Sequence, residues 1–495
     1  MLDASSVLYS NTWGTKMNRR RFIKSAAAAA GAALLPRHAF SQVSKRDKRL
    51  NVVLMLSDDQ RHDTIAALGN EYSHTPAMDS LVKNGFAFRQ AKCMGSQNGA
   101  VCVPARAMLN TGRSLFHVPD NMGKFATLGE TLQGAGYKSF LAGKWHNGTP
   151  AFARSFNAAG NIFFGGMHAD QYKMPVRDFD PSGKYPNSAV HIGNKFSSEL
   201  FGDAAVDFLT AHGKNGPFFC YLAFTSPHDP RTPPEPFKSM YDPQKMPLPK
   251  NWLPKHPFDN GDMKVRDELL APMPRTEADT RQQLCYYYGM ISAQDAQVAR
   301  VLKALDDQGL SDNTLIIYTG DHGLAIGSHG LFGKQNVYDH SQRIPLIFSG
   351  PPIPKSAGSD AFVYGFDIFP TICELLGVTP PQSVEGKSLA GVIAGREKQV
   401  RDSILYVYDH LDGGKKPAAE DMRGIQRAVN DGRWKYHHYF VKGTKTVRLF
   451  DMQNDPHEMH NLADDPAAAK ELPRLRELLK KFREDFSDNQ AAWVD

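Results

Sequence analysis

Residues 51–57, NVVLMLS, are apolar almost throughout, and the run stops abruptly on Asp58 and Asp59. A short apolar run without polar alternation is the pattern of a strand covered on both faces, as in a parallel sheet. Similar runs, mostly closing on a polar end, recur at YKSFLAGKWH (137–146), PFFCYLAFTSPH (217–228), TLIIYTGDHG (314–323) and IPLIFSGP (344–351). FAFRQAKC reads as a further strand. Between these runs AMDSLVKNG, TLGETLQGAG (127–136), SELFGDAAVDFLTAHG and YYYGMISAQDAQVARVLKALDDQG read as helices, several with a glycine stop. Strands alternating with helices predict an α/β fold with a large mixed, mostly parallel sheet sandwiched by helices.

The texture changes twice. From Asp229 to about Asp279 the chain is rich in proline and has little periodicity, so it reads as a long surface excursion. After about residue 380, ILYVYDH, RAVNDGRWKYHHYF and TVRLFDMQNDP look like antiparallel strands, and AAAKELPRLRELLKKFREDF looks like a charged amphipathic helix. The expected division is an export segment at 1–41, a catalytic α/β domain at 49–380 and a smaller α+β domain at 381–495 with an antiparallel sheet and a terminal helix.

In a doubly wound sheet, ligands collect beyond the carboxyl ends of the strands. Here those ends carry Asp58 and Asp59, Lys144 and His146, His228, and Asp321 with His322. Taken singly, an Asp pair is a helix cap and DHG a turn; four such ends aimed at one crevice make a site. Three carboxylates converging on a point repel unless a cation holds them. Oxygen-rich ligation by Asp58, Asp59 and Asp321 favours Ca²⁺ or Mg²⁺ over zinc, with Mn²⁺ also open because His322 adds a nitrogen. Lys144, Lys334 and His228 would add cations or donors around the metal, which suits a compact sulfuryl or phosphoryl oxyanion.

The formal net charge of +6 is misleading. Residues 1–41 hold Lys16, Arg19, Arg20, Arg21, Lys24 and Arg37 against Asp3, a net +5 that leaves about +1 for the rest, so no nucleic-acid or membrane surface is expected. Arg19 and Arg20 ahead of Phe22 and Lys24, then SAAAAAGAALL and the small residues of HAFSQ near Ser41, resemble a twin-arginine export signal. Met17 is a candidate start. The apolar run is too short to span a bilayer, so the protein is expected to be periplasmic or secreted rather than integral to a membrane. Folding before export favours reduced thiols among the five cysteines. Cys220 and Cys373 sit in apolar runs as small hydrophobes, Cys93 and Cys285 have no evident partner, and Cys102 alone has polar punctuation on both sides.

Cys102 opens CVPAR, and this stretch resembles the C-x-P-x-R signature of the type I sulfatases, in which the cysteine becomes Cα-formylglycine. The resemblance continues through SDDQ, HTPAMDSLVKNG, LNTGR, GKWH, SPH, GDHG, GKQNVYDHSQRIPLI and LFDMQNDPHEMHNLADDP, in that order. It implies an alkaline-phosphatase-like fold, Ca²⁺ bound by Asp58, Asp59, Asp321, His322 and the modified residue 102, and maturation by a formylglycine-generating enzyme. By the same resemblance Arg106 supports the formylglycine hydrate, Pro104 is read by the modifying enzyme, Lys144 contacts the sulfate and His146 the hydrate. His228 and Lys334 complete the sulfate contacts near the leaving oxygen. The hydrate has two hydroxyls: one attacks sulfur and displaces the alcohol, and deprotonation of the other, with His146 as base, re-forms the carbonyl and expels sulfate. His228, helped by Lys334, protonates the leaving alcohol.

These readings predict an exported hydrolase of sulfate esters, with a sulfated carbohydrate or polysaccharide fragment as substrate. Two alternatives stand beside it: a phosphonate or phosphate ester hydrolase of the same superfamily, and a non-catalytic sulfoglycan-binding protein. Specificity is expected from loops at 163–186, 229–279 and 410–424, where Tyr172, Arg177, His168, Trp252 and His256 suit sugar stacking or anion contacts as well as they suit an ordinary surface.

Overall fold

β1 (Asn51–Ser57) spans the apolar run, and every one of its residues is buried. It lies inside a sheet formed with β2 (Gly85–Lys92), β4 (Lys138–Lys144), β5 (Ala158–Phe163), β8 (Phe218–Ala223), β9 (Thr314–Gly320), β10 (Leu346–Ser349) and β11 (Ala357–Tyr364). The strand order is β11-β2-β10-β9-β1-β8-β4-β5. β10 runs antiparallel to both its neighbours, and the other pairings are parallel, so the sheet is mixed and mostly parallel. A computed structural model describes residues 49–409 and 424–489.

The helices among the described residues are α1 (Pro76–Lys83), α2 (Cys102–Thr111), α3 (Leu128–Gly134), α4 (Thr149–Ser155), α5 (Ser197–His212), α6 (Glu277–Asp307), α7 (Asp339–Gln342), α8 (Ile368–Leu376), α9 (Ala390–Ile393), α10 (Pro466–Ala469) and α11 (Leu472–Asp485), of which α1, α3 and α5 pack against this sheet. Two hydrophobic cores, one on each face, explain why the central strands carry no polar alternation: Val52, Leu54 and Leu56 point into one, Val53 and Met55 into the other. Each fully buried Val, Leu or Met contributes roughly 1.5–3 kcal/mol. α3 opens on a capping box in which Thr127 Oγ1 accepts from Glu130 N and Glu130 accepts from Thr127 N.

A second sheet has the order β15-β14-β13-β12-β3. Its strands are β12 (Ile404–Asp409), β13 (Gly424–Asn430), β14 (Trp434–Val441) and β15 (Thr444–Asp451), antiparallel throughout. Its edge is β3 (Gly95–Ser96), a strand from far earlier in the chain that pairs parallel with β12. Both sheets belong to one compact unit. A short ribbon of β6 (Met174–Val176) and β7 (His191–Gly193) lies apart from them.

Two expectations need adjustment. α6 begins at Glu277, before the YYYG run, where Thr276 caps it by accepting from Asp279 N. The proline-rich 229–279 segment is irregular but not merely superficial, because His256, Asn260, Asp262, Asp267, Glu268 and Arg275 are buried. The export segment at 1–41 and the 410–423 portion of the third loop lie outside the described residues.

Candidate active site

β9, β1, β8 and β4 are consecutive neighbours and point the same way. At a strand spacing of about 4.8 Å, their four ends fall within about 15 Å of one another. Asp58 and Asp59 leave β1, Asp321 and His322 leave β9, and Lys144 closes β4 with His146 just beyond. His228 follows β8 on a turn whose Nδ1–H donates to Asp229 O at 2.8 Å. Lys334 comes from the irregular segment between β9 and β10. Asp59 and His146 take positive φ values of 66° and 73°, a conformation that costs energy for any residue but glycine and that clusters at functional sites.

α2 supplies the remaining two residues. Cys102 and Arg106 are four apart, so they share one helix face, and both turn toward the strand ends. Pro104 stands in the first turn, where its missing N–H breaks no helical bond. Arg106 donates from Nη1 to Lys144 O at 2.8 Å and from Nε to Asp321 Oδ2 at 3.1 Å, locking α2 to the ends of β4 and β9.

All ten residues named from the sequence converge. Cys102 Sγ lies 3.3 Å from His146 Nδ1 and 3.4 Å from Lys144 Nζ. Lys144 Nζ also pairs with Asp58, and Lys334 Nζ donates to Asp59 Oδ1 at 2.8 Å. His228 Nε2 is 3.8 Å from Asp59 Oδ2. Burial opposes ionisation of the Cys102 thiol, but Lys144 and His146 outweigh it and bring it well below its ordinary value. Burial likewise disfavours a charged Lys334, yet Asp59 and Asp267 hold it well above its usual range.

One ligand atom each from Asp58, Asp59, Asp321 and His322 lies within 4.8 Å of all the others, and all four residues are buried. Asp58 Oδ1 and His322 Nε2 have no hydrogen-bond partner among the described residues. Burial alone would lower the His322 pKa, but Asp321 and Asp59 raise it to about 9. Three carboxylates and an imidazole with open ligand atoms fit a divalent cation.

A cavity of about 510 Å³ opens over these groups. Cys102, His146, His228 and Lys334 line it, and Asn98, Gly166, Met167, Arg266, Asp267 and Gln335 are among the residues that complete the wall. Two of the expected specificity loops therefore reach the site, but through residues the sequence did not single out. Tyr172 bonds Thr232 O, Arg177 bonds Asn187, and His168 Nδ1 lies 3.0 Å from Asp170 O. Trp252 bonds Thr280, and buried His256 bonds His329 O. These five hold the loops together and to neighbouring segments, and none of them lines the cavity. Arg266 and Asp267 were missed because an aperiodic, proline-rich stretch gives no signal for which side chain turns inward.

Residues 50–378 match the Sulfatase family, and residues 327–485 match the family described as N-sulphoglucosamine sulphohydrolase, C-terminal. Residues 16–36 match the twin-arginine translocation pathway signal sequence, which marks the chain for export. Among the described residues no helix is long and apolar enough to cross a membrane. The multifunctional alkaline phosphatase superfamily protein PehA of Trinickia caryophylli is 30% identical over 492 residues, 85% of this chain and 92% of that protein. An N-acetylglucosamine-6-O-sulfatase of Bacteroides thetaiotaomicron is 26% identical, covering 92% of this chain and 91% of its own. The solved structure of a phosphonate monoester hydrolase of Agrobacterium radiobacter superposes with a TM-score of 0.69 at 22% identity, covering 88% of this chain and 96% of that one. That likeness shows a shared alkaline-phosphatase-like fold. A family match over most of the chain, together with a relative at 30% identity across 85% of it, leads to one conclusion: the chain belongs to the sulfatase family.

Proposed function

We propose that this sulfatase works in the periplasm on a sulfate ester of a carbohydrate, with residue 102 as formylglycine and a divalent cation, Ca²⁺, at Asp58, Asp59, Asp321 and His322. The observation that carries the reading is the placement of Cys102 Sγ between Lys144 Nζ and His146 Nδ1, beside the four-ligand cluster and in the wall of the cavity. The name of the Bacteroides relative, a sulfatase of an N-acetylglucosamine ester, supports the substrate class. The expected partners are the sulfated carbohydrate, a formylglycine-generating enzyme and the twin-arginine machinery.

The cation, when bound, supplies Lewis acidity to the sulfate and lowers the cost of a negative charge on the oxygen of residue 102. Arg106, tied to Asp321 and to Lys144 O, keeps residue 102 and the cation site in register. Lys144 and Lys334 take sulfate oxygens from two sides. His146 is in hydrogen-bond range of residue 102 and serves as the base that releases sulfate. His228 Nδ1 is committed to Asp229 O, so Nε2 faces the site, and the ring donates to the leaving alcohol when it carries both protons.

A second reading, turnover of phosphonate or phosphate esters, is favoured by one observation: the relative at 30% identity is named multifunctional. One experiment bears on both. Measured with and without a chelator on protein co-produced with a formylglycine-generating enzyme, kcat/KM should be highest for an aryl sulfate, fall by at least about 100-fold on metal removal, and return with Ca²⁺. A preference for the aryl phosphonate would overturn the sulfate assignment. No turnover of any ester by the modified, metal-loaded protein would favour a binding role.

A further inference from the structure

The cavity that Cys102, His146, His228 and Lys334 line is also framed by Met167, Val265, Arg266 and Asp267, which belong to the 163–186 and 229–279 segments. Arg266 is the most accessible charge there: its side chain is 48% exposed, against 7% for Asp267 and 6% for Asp229. The guanidinium nevertheless sits in a carboxylate vice. Nη1 and Nη2 reach Asp229 at 2.5 and 3.1 Å, and Nη2 also reaches Asp267 Oδ1 at 2.6 Å.

Arg266 is already met by both carboxylates, while Lys334 and His228 also act on Asp267 and Arg231 acts on Asp229, so the trio is close to charge-balanced. It offers no unpaired cation and is therefore a poor seat for a second anion next to the sulfate. It suits hydroxyl groups, because Arg266 retains N–H donors beyond those three bonds, and each Asp267 oxygen takes one donor while a carboxylate oxygen can accept two. Gln335 Nε2 fixes the other side of Asp267 by donating to Oδ2 at 2.9 Å while also donating to Gly99 O at 3.0 Å, so the acceptor is held still. Met167 Sδ lies 4.0 Å from Arg266 Nη1 and offers an apolar surface beside the polar pair. Donor, acceptor and apolar wall side by side match the hydroxyls and C–H face of a sugar ring.

We infer that Arg266 and Asp267 form a charge-balanced specificity pair that reads an uncharged, polyhydroxylated leaving group. It selects a singly sulfated neutral sugar over the same sugar bearing a second sulfate or a carboxylate beside the scissile ester. The inference rests on the sulfatase reading above and adds the class of sugar to it.

The test is kcat/KM on a singly sulfated neutral monosaccharide and on its disulfated counterpart, with an aryl sulfate as reference. The native enzyme should favour the singly sulfated sugar by about 10-fold or more, since like charges placed together are costly. Asp267→Asn removes one carboxylate and should narrow that ratio; Arg266→Gln removes the cation from an exposed position and should widen it. A mere loosening of the loop would move both variants the same way. Native preference for the disulfated sugar, or ratios that fail to move in opposite directions, overturns the pair. Turnover of the aryl sulfate but of neither sugar overturns it while leaving the sulfatase reading in place; failure on the aryl sulfate as well overturns both.

Discussion

Gly166 shows how closely single residues are fitted around residue 102. A Cβ at that position would come within 2.5 Å of His146 Cε1 and Nε2, so the loop can lie against the imidazole only where no side chain exists. Gly166→Ala is expected to push the His146 ring away from residue 102 and to lower kcat by about 10- to 100-fold, since displacements of about an ångström cost that much. Steady-state kinetics on an aryl sulfate check this, and an unchanged kcat would remove His146 from the proton-transfer step. The site's charged residues were legible at this scale because Asp58, Asp59, Lys144, His146, His228, Asp321 and His322 each interrupt or follow an apolar run. Lys334 was different. No run or period surrounds it, and its place as a sulfate contact comes from the resemblance of its neighbourhood to a known family.

At the scale of elements, parallel strands explain what was readable. β1, β4, β8 and β9 are buried on both faces, so their composition alone announces them and locates their ends. β11 was not legible because its first half, AGSD, is half exposed at the sheet edge, and β3 because two residues carry no periodicity. The turn presenting Lys334 was equally silent. Buried Glu268 accepts from Phe332 N at 3.0 Å and Gly333 N at 2.8 Å and pairs with Arg275, whose Nε donates to Gly330 O at 3.2 Å. This clamp ties the proline-rich segment to the turn that aims Lys334 at Asp59. Glu268→Ala leaves Arg275 buried without its counter-ion and should cost about 3–5 kcal/mol of stability, measured by urea titration, together with a loss of kcat/KM as Lys334 loosens. Full stability in that variant would show that the carbonyl partners of Arg275 hold the turn unaided.

For the whole molecule, buried histidines set the response to acid. Burial pushes His256, His437 and His438 down to about 4 and His329 to about 3. Unfolded, each takes up a proton near pH 6.5, so the folded state binds fewer protons below that value. Their contribution is complete above about pH 6.5 and declines toward pH 4, at about 1.4 kcal/mol per pH unit for each ring that stays neutral. Burial also pushes His62 and His340 well below their ordinary value, so they act in the same sense. The urea midpoint should therefore fall between about pH 7.5 and about pH 5 with an unchanged slope; a constant midpoint would mean that these rings charge without cost. The proposed chemistry depends on residue 102, where the chain's own thiol, already flanked by Lys144 and His146, is the precursor of an aldehyde. Mass analysis of the tryptic peptide Cys93–Arg106 from active protein tests it most directly. One alkylated thiol, at Cys93, and an aldehyde at position 102 are the expected result, whereas two intact thiols in fully active enzyme would contradict the account.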